Sequence, residues 1–225
     1  MSGENVAKSI DFPGATLTDV TSINSSGQIV GFYNNSSSVW APHGFLLSDG
    51  QFTTIDYPGA QATYWGGITN DGEIIGSVVE LNGTSHGELL HGGVFTSITV
   101  PGAVATSTNM KNGNRIVGDY TDSSSHDHGL LDVGGVFQTI DYPGSAFTFF
   151  SGVNSAGDLV GAYSATTDGA ITQGFLWKNG QFTPITYPGS VAGGAIGIND
   201  QGDIVGRYTD TAGITHGFLL MGGAI

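Results

Sequence analysis

One position in this chain carries a histidine four times over: His43, His86, His128 and His216, with Gln173 at the fifth occurrence. Imidazoles invite two chemistries, metal ligation and proton transfer near neutral pH. Their placement argues for neither. Each opens a strand third from the axis of a ring, too far from its counterparts to share one ion. Hairpin register puts Asp56 opposite His43, Thr99 opposite His86, Asp141 opposite His128 and Thr186 opposite Gln173. Across a ring closure it puts Asp11 opposite His216. Such cross-strand pairs stabilise a sheet by roughly 0.2–1 kcal/mol each. His126 and Asp127, with Asp122 nearby, lie in a loop without the ordered oxygen spacing of a calcium site. No Gly-x-Ser-x-Gly elbow, His-Glu-x-x-His pair or phosphate loop occurs. The expectation is a chain with no metal and no cofactor.

A second group of residues bears more on ligands. Asp19, Tyr64, Trp65, Thr106, Phe149 and Phe150 stand shortly before a recurring apolar anchor, which is Ile23, Ile68, Met110, Val153 and Ile198 in turn. These positions differ most from repeat to repeat, and Gly193-Gly194-Ala195 fills them in the last. At the start of an innermost strand they converge on one mouth of a channel, with Trp40 leaning over from the longest loop. Concave, mostly apolar sites with a few polar groups are where small ligands bind. Either the aromatics line a pocket, with a sugar ring stacked on Tyr64, Trp65 or Phe149, or they plug the channel. An enzyme would use Asp19 as general base and Tyr64 as acid or oxyanion donor, because acid–base work needs two groups at one substrate atom. Glu88 replaces the Phe of Phe45, Phe175 and Phe218, so it either faces solvent or is a perturbed carboxyl. Asp119 and Arg207 share one strand position and read as surface residues.

The elements that position these groups are legible in the turns. Apolar runs 45–47 and 52–55 flank Asp49-Gly50, which suits a two-residue type I′ hairpin. The unit returns with Gly92-Gly93, Gly134-Gly135 and Asn179-Gly180 at the turn. Pro-Gly pairs begin at 13, 58, 101, 143 and 188, so the period is 42–45 residues. Each period holds a Thr- and aromatic-rich run, a polar turn, a strand ending in Gly (Ile29-Val30-Gly31 and its copies), then the hairpin. Four short antiparallel strands per period are the pattern of a propeller blade. Residues 8–14 copy 53–59 closely. The expected fold is therefore all-β: residues 1–225 as a single five-bladed β-propeller whose N-terminal strand completes the last blade and closes the ring.

Composition excludes several function classes. The 225 residues carry a net charge of −14 with only five basic side chains, so neither a phosphate backbone nor an anionic membrane surface is a partner. Zero cysteines remove disulfides and thiolate chemistry. No apolar run reaches the ~20 residues of a membrane span. Met1-Ser2-Gly3-Glu4 lacks the basic-then-apolar pattern of an export signal.

The repeat resembles the HAF-repeat family of probable extracellular bacterial proteins. The likeness rests on 197–206, 216–218 and 10–14, which carry Gly-Ile-Asn-Asp-x-Gly-x-Ile-Val-Gly, His-Gly-Phe and Ile-Asp-x-Pro-Gly. It covers nearly the whole chain and implies an extracellular or periplasmic setting, but no activity. Three readings stand side by side: a monomeric module binding a small apolar or sugar-like ligand, a lyase, isomerase or hydrolase, and an adhesive repeat with no site.

Overall fold

The computed structural model describes residues 8–37, 39–166 and 172–222. Among these the regular elements are all strands. The first antiparallel unit is β1 (Leu17–Ile23), β2 (Ile29–Asn34), β3 (His43–Ser48) and β4 (Gln51–Thr54). The second is β5 (Ala62–Ile68), β6 (Ile74–Val79), β7 (Ser85–His91) and β8 (Val94–Ile98). The third is β9 (Ala105–Asn112), β10 (Arg115–Thr121), β11 (Asp127–Val133) and β12 (Val136–Thr139). The fourth is β13 (Phe147–Val153), β14 (Leu159–Ser164), β15 (Gln173–Lys178) and β16 (Gln181–Ile185). The last has β17 (Ser190–Ile198), β18 (Ile204–Asp210) and β19 (Thr215–Leu220). Hydrogen bonding groups these strands into sheets of 4, 12 and 3. The large sheet is three such units joined by single parallel bridges, Ser85 to Ala105 and Asp127 to Phe147.

The turns behave as their sequences require. Asp49 and Gly50 have φ of 52° and 75°, and Asn179 and Gly180 have 52° and 79°. Positive φ at both central residues is the type I′ geometry, whose twist matches the flanking strands. At the other end of each unit a threonine fixes the crossing to the next. Thr18, Thr63, Thr106 and Thr148 each accept, through Oγ1, the backbone N–H of Phe12, Tyr57, Val100 or Tyr142. Before three of the five Pro-Gly pairs an aromatic stacks on the second strand of the following unit, whereas Tyr57 packs edge-on to His86 and Phe95. Phe12 lies 3.6 Å from Tyr33, Tyr142 3.5 Å from Tyr163 and Tyr187 3.9 Å from Tyr208, between ring centroids.

The core lies between units rather than within them. Val30, Ile75, Val117 and Val160 hold one position of the second strand and are 0% exposed. Val30 clusters with Trp65 and Ile68 of the next unit, Val117 with Phe150 and Val153, and Val160 with Ala195 and Ile204. The last unit breaks the series. Val205, at the same position, is 49% exposed, and Leu219 is 61% exposed where Leu131 and Leu176 are buried. In the first unit Ile23 is 63% exposed, although its copy Ile68 is buried. Two matching apolar faces are therefore open to solvent.

Two of the expected histidine pairs form. His43 Nδ1 meets Asp56 Oδ2 at 2.7 Å, and His128 Nδ1 meets Asp141 Oδ2 at 2.8 Å. The second oxygen of each carboxylate accepts the backbone N–H of Gly44 or Gly129. Burial opposes charge on His128, but its bonds to Asp141 and Asp122 outweigh that and raise its pKa. The expected pairing of His216 with Asp11 is corrected. His216 stacks on Tyr208 and turns Nε2 to Asp210 at 3.1 Å. Residues 8–12 lie in no strand, so nothing brings Asp11 opposite it; the rest of the proposed closing strand, 1–7, is outside the described residues. His86 turns to Glu80 at 3.0 Å, and Gln173 Oε1 accepts the Tyr163 hydroxyl.

Glu88 proves to be a perturbed carboxyl, not a solvated one. It is 0% exposed, with Ser97 Oγ donating to Oε2 at 2.8 Å and Oε1 left without a partner. Burial raises its pKa above the ordinary 4.5, against the bond from Ser97 and the charge of His86. A raised acid is a stabilising partner only while protonated. Below the unfolded value the ionisation cost is absent; as pH rises toward the folded value, folding must hold a proton that the unfolded chain releases. Glu88→Leu should therefore stabilise the protein at pH 8 by about 1–3 kcal/mol, the penalty of an unpaired buried polar group. Its advantage should shrink at pH 4. Denaturant midpoints at the two pH values decide it: a pH-independent difference, or a loss, would contradict the buried-acid account.

Candidate functional site

Each first strand carries an extra residue at one equivalent position, and β17 carries a second at Val191. The pairing of β1 with β2 skips Thr21, and the equivalent pairings skip Gly66, Asn109, Ser151 and Ile196. A β-bulge of this kind bends its strand and re-aims a side chain. All five bulged residues line one central cavity of about 710 Å³. The polar ones also tie neighbouring units together. Thr21 Oγ1 donates to Trp65 O at 2.7 Å, Asn109 Nδ2 to Phe150 O at 2.8 Å and Ser151 Oγ to Ala195 O at 2.6 Å. Gly66 sits so close to the third unit that a Cβ there would lie 2.5 Å from Asn109 O.

Two residues before the bulge, equivalent positions of the first strand pair with the second strand: Asp19 with Phe32, Tyr64 with Ser77, Ser107 with Asp119, Phe149 with Ala162 and Gly194 with Arg207. Of these, Asp19, the Phe149–Ala162 pair and the Gly194–Arg207 pair line the cavity, so its wall differs from unit to unit. The fourth unit presents Phe149 together with Phe147, their ring centroids 5.3 Å apart. The third presents Asn109, Met110 and Asp127; the last presents Gly194, Ala195 and Arg207. Arg207 is exposed, as expected of a surface residue, and lines the cavity; the expectation that Asp119 is a surface residue is corrected. Arg207 reaches into the cavity because its strand partner Gly194 has no side chain to block it. Asp119 is half-buried beside Asn109 and Asp127, and burial, then the Asp127 charge, raise its carboxyl to about 7, against a hydrogen bond from Asn109.

The residues singled out from the sequence divide by strand parity. Asp19 and Phe149 line the cavity. Trp40, 55% exposed, donates Nε1–H to the Tyr64 hydroxyl at 2.8 Å. Phe32 packs edge-on against both rings, so the three form an aromatic group on the first and second units. Trp65, Thr106 and Phe150 are corrected: all three are 0% exposed. Trp65 donates Nε1–H to Ile55 O, Thr106 holds the Val100 N–H, and Phe150 packs edge-on to Phe175. Phe150 points to the opposite face of its strand from its cavity-lining neighbour Phe149. No hydrogen bond joins Asp19 to Tyr64 among the described residues, and the Tyr64 hydroxyl is engaged by Trp40. Asn109, Asp127 and Phe147 were not singled out as ligand contacts, because neither the bulge nor the sheet-to-sheet bridge at Asp127 and Phe147 has a residue signature. Asp122 Oδ1 accepts the backbone N–H groups of Ser124 and His126, so that carboxylate serves its own turn.

No family model matches the chain, and no curated protein matches it in sequence. Solved structures do share its fold. A prolyl endopeptidase aligns with a TM-score of 0.63 at 11% identity, over 94% of this chain and 34% of its own. TolB from Acinetobacter baumannii aligns with 0.59 at 13%, over 90% and 54%. The fucose-specific lectin from Aleuria aurantia aligns with 0.56 at 12%, over 92% and 76%. This chain thus spans about a third of the endopeptidase and about half of TolB. No helix among the described residues is long and apolar enough to cross a membrane. At these identities the likeness is one of architecture: an all-β fold with β-propeller lectins among its neighbours.

Proposed function

We propose that this chain is a carbohydrate-binding module whose ligand sits in the central cavity, against Phe149 and Phe147. One observation carries the reading: a cavity of about 710 Å³ combines an aromatic wall with Asp19, Asn109, Asp127 and Arg207. Sugar recognition needs that mixture, since ring C–H faces pack on aromatics while hydroxyls need fixed donors and acceptors. The lectin neighbours support it at the level of fold. The Trp40–Tyr64 pair extends the aromatic surface along the rim. The module acts as a monomer outside the cytoplasm, in keeping with its resemblance to HAF repeats.

A comparison of adjacent phenylalanines tests the site. Phe149→Ala should abolish saturable binding to a panel of monosaccharides, followed by calorimetry, while leaving stability nearly unchanged. Phe150→Ala should cost about 3–5 kcal/mol, as a packed aromatic does. If Phe149→Ala costs the same, the ring is structural and the site is lost with it. A second reading has one specific observation in its favour, the Asp119 carboxyl raised to about 7 beside Asp127. Turnover of a bound sugar that vanishes in Asp119→Asn would convert the module into an acid–base enzyme, with this pair in place of Asp19 and Tyr64.

The proposed architecture is a closed ring of five blades, in which residues 1–14 supply the fourth strand of the last blade. The open faces support it. Val205 and Leu219 on one side and Ile23 on the other are copies of residues that are buried against each other at the other junctions. A cleft lined by Ile185, Tyr187, Pro188, Phe218 and Leu220 runs along the unpaired edge of β19. Val205→Asp discriminates. In a closed ring it buries an unpaired charge and unfolds the protein or costs several kcal/mol, whereas an exposed surface position changes stability by about 0.5 kcal/mol or less. A neutral result in thermal melts would leave the ring open.

A further inference from the structure

We infer that the ligand of this cavity is a carboxylated sugar of the uronate class, with its carboxylate held by Arg207. This rests on the carbohydrate reading above and adds the charge of the ligand to it. The chain has five basic residues against 19 acidic ones. Two of the five are committed: Lys111 pairs with Glu73, and Lys178 meets Asp158 at 2.8 Å. Arg207 has no acidic partner and makes no hydrogen bond among the described residues, although Asp19 and Asp127 line the same cavity. An unpaired guanidinium facing a cavity in a protein of net charge −14 is a site for an anion, and its fork matches a carboxylate bidentately.

The neighbours of Arg207 give the rest of the ligand. Gly194, its strand partner, lies against the fourth unit: a Cβ on Gly194 would stand 3.4 Å from the Ala162 methyl, and Ala162 pairs with Phe149. Arg207 therefore flanks the aromatic wall on one side, with only small residues between. Asp127 flanks it on the other, bridged directly to Phe147. Its Oδ1 accepts the Thr121 hydroxyl at 2.6 Å, and its other oxygen has no partner among the described residues. A free anion without further groups would meet Asp127 and Asp19 as like charges and be repelled. A uronate satisfies all three walls at once: ring face on Phe149 and Phe147, carboxylate on Arg207, hydroxyl donors on Asp127 and Asn109.

The test uses the whole chain and four probes: glucose, glucuronate, galacturonate and glucuronate methyl ester, each titrated calorimetrically at low and high salt. A uronate should bind roughly ten- to a hundredfold more tightly than glucose or the ester, the range for hydrogen bonds to a charged group. Arg207→Gln should erase that preference, bringing the uronate affinity down to that of glucose, Arg207→Lys should restore part of it, and high salt should weaken uronate binding alone. Circular dichroism and a melt of each variant check that the fold is unchanged. Equal binding of ester and acid, or a preference that survives Arg207→Gln, overturns the inference and leaves the carbohydrate reading standing. No saturable binding of any sugar to the parent protein overturns both.

Discussion

The structure depends on one burial event repeated from unit to unit: the apolar face of a unit is removed from water only where another unit follows it. Val30, Ile75, Val117 and Val160 are fully buried because a neighbour covers them, and Val205 is half in water because none does. Burying a side chain of this size contributes about 1.5–3 kcal/mol. An isolated unit thus has no core of its own, as in other repeat architectures. The lone backbone bridges between units are too few to hold the sheets together. Side-chain packing, the stacked aromatics before three of the Pro-Gly pairs and the threonine clamps do that instead.

The same constraint shapes the cavity. First strands must approach one another at the axis, where there is least room, and each relieves the crowding by a bulge. Once bulged, a strand turns one residue inward and gives it a second task, bonding the adjacent unit through Thr21, Asn109 or Ser151. The cavity stays open because the last unit brings Gly194 and Ala195 where the fourth brings Phe149. Bulk on one wall and none on the next leaves space that a symmetric set of aromatics would have filled.

How much of this is legible in the sequence follows from which features have residue requirements. Type I′ turns need positive φ at two residues, so Asp-Gly, Asn-Gly and Gly-Gly announce every hairpin, and the hairpins fix the His43–Asp56 and His128–Asp141 registers. The repeat also announces the strand order. Bulges have no such requirement: Thr, Gly, Asn, Ser and Ile occupy the five of them. Without the bulge the inward and outward faces of a first strand cannot be told apart where both are aromatic. That is why Trp65 and Phe150 read like their neighbours Tyr64 and Phe149, of which Phe149 lines the cavity, and why nothing in the sequence marks Asn109. Thr106 resembled a pocket residue because its role, holding one backbone N–H, shows only when four copies are superposed.

Two kinds of irregularity remain among the repeats, and their energetics separate scaffold from site. A departure on a packed face is costly: Glu88 stands where its counterparts are Phe45, Leu130, Phe175 and Phe218, and it keeps one oxygen unpaired in return. Nothing about that position offers access to a ligand, since it is sealed between sheets. A departure that opens onto the cavity, as at Ala162 and Arg207, costs little because water there solvates what is placed in it, whereas Asp119 at the same strand position is desolvated. The second-strand axial position runs through Phe32, Ser77, Asp119, Ala162 and Arg207, an aromatic, a hydroxyl, an acid, a methyl and a base. Packing cannot account for that spread, because packing alone would have made the five alike, as it did for Val30 and its copies. Chemical diversity at a position where stability is indifferent is what a ligand contact requires. The axial wall, with Arg207 and Asp127 on either side of Phe149 and Phe147, is where it is concentrated.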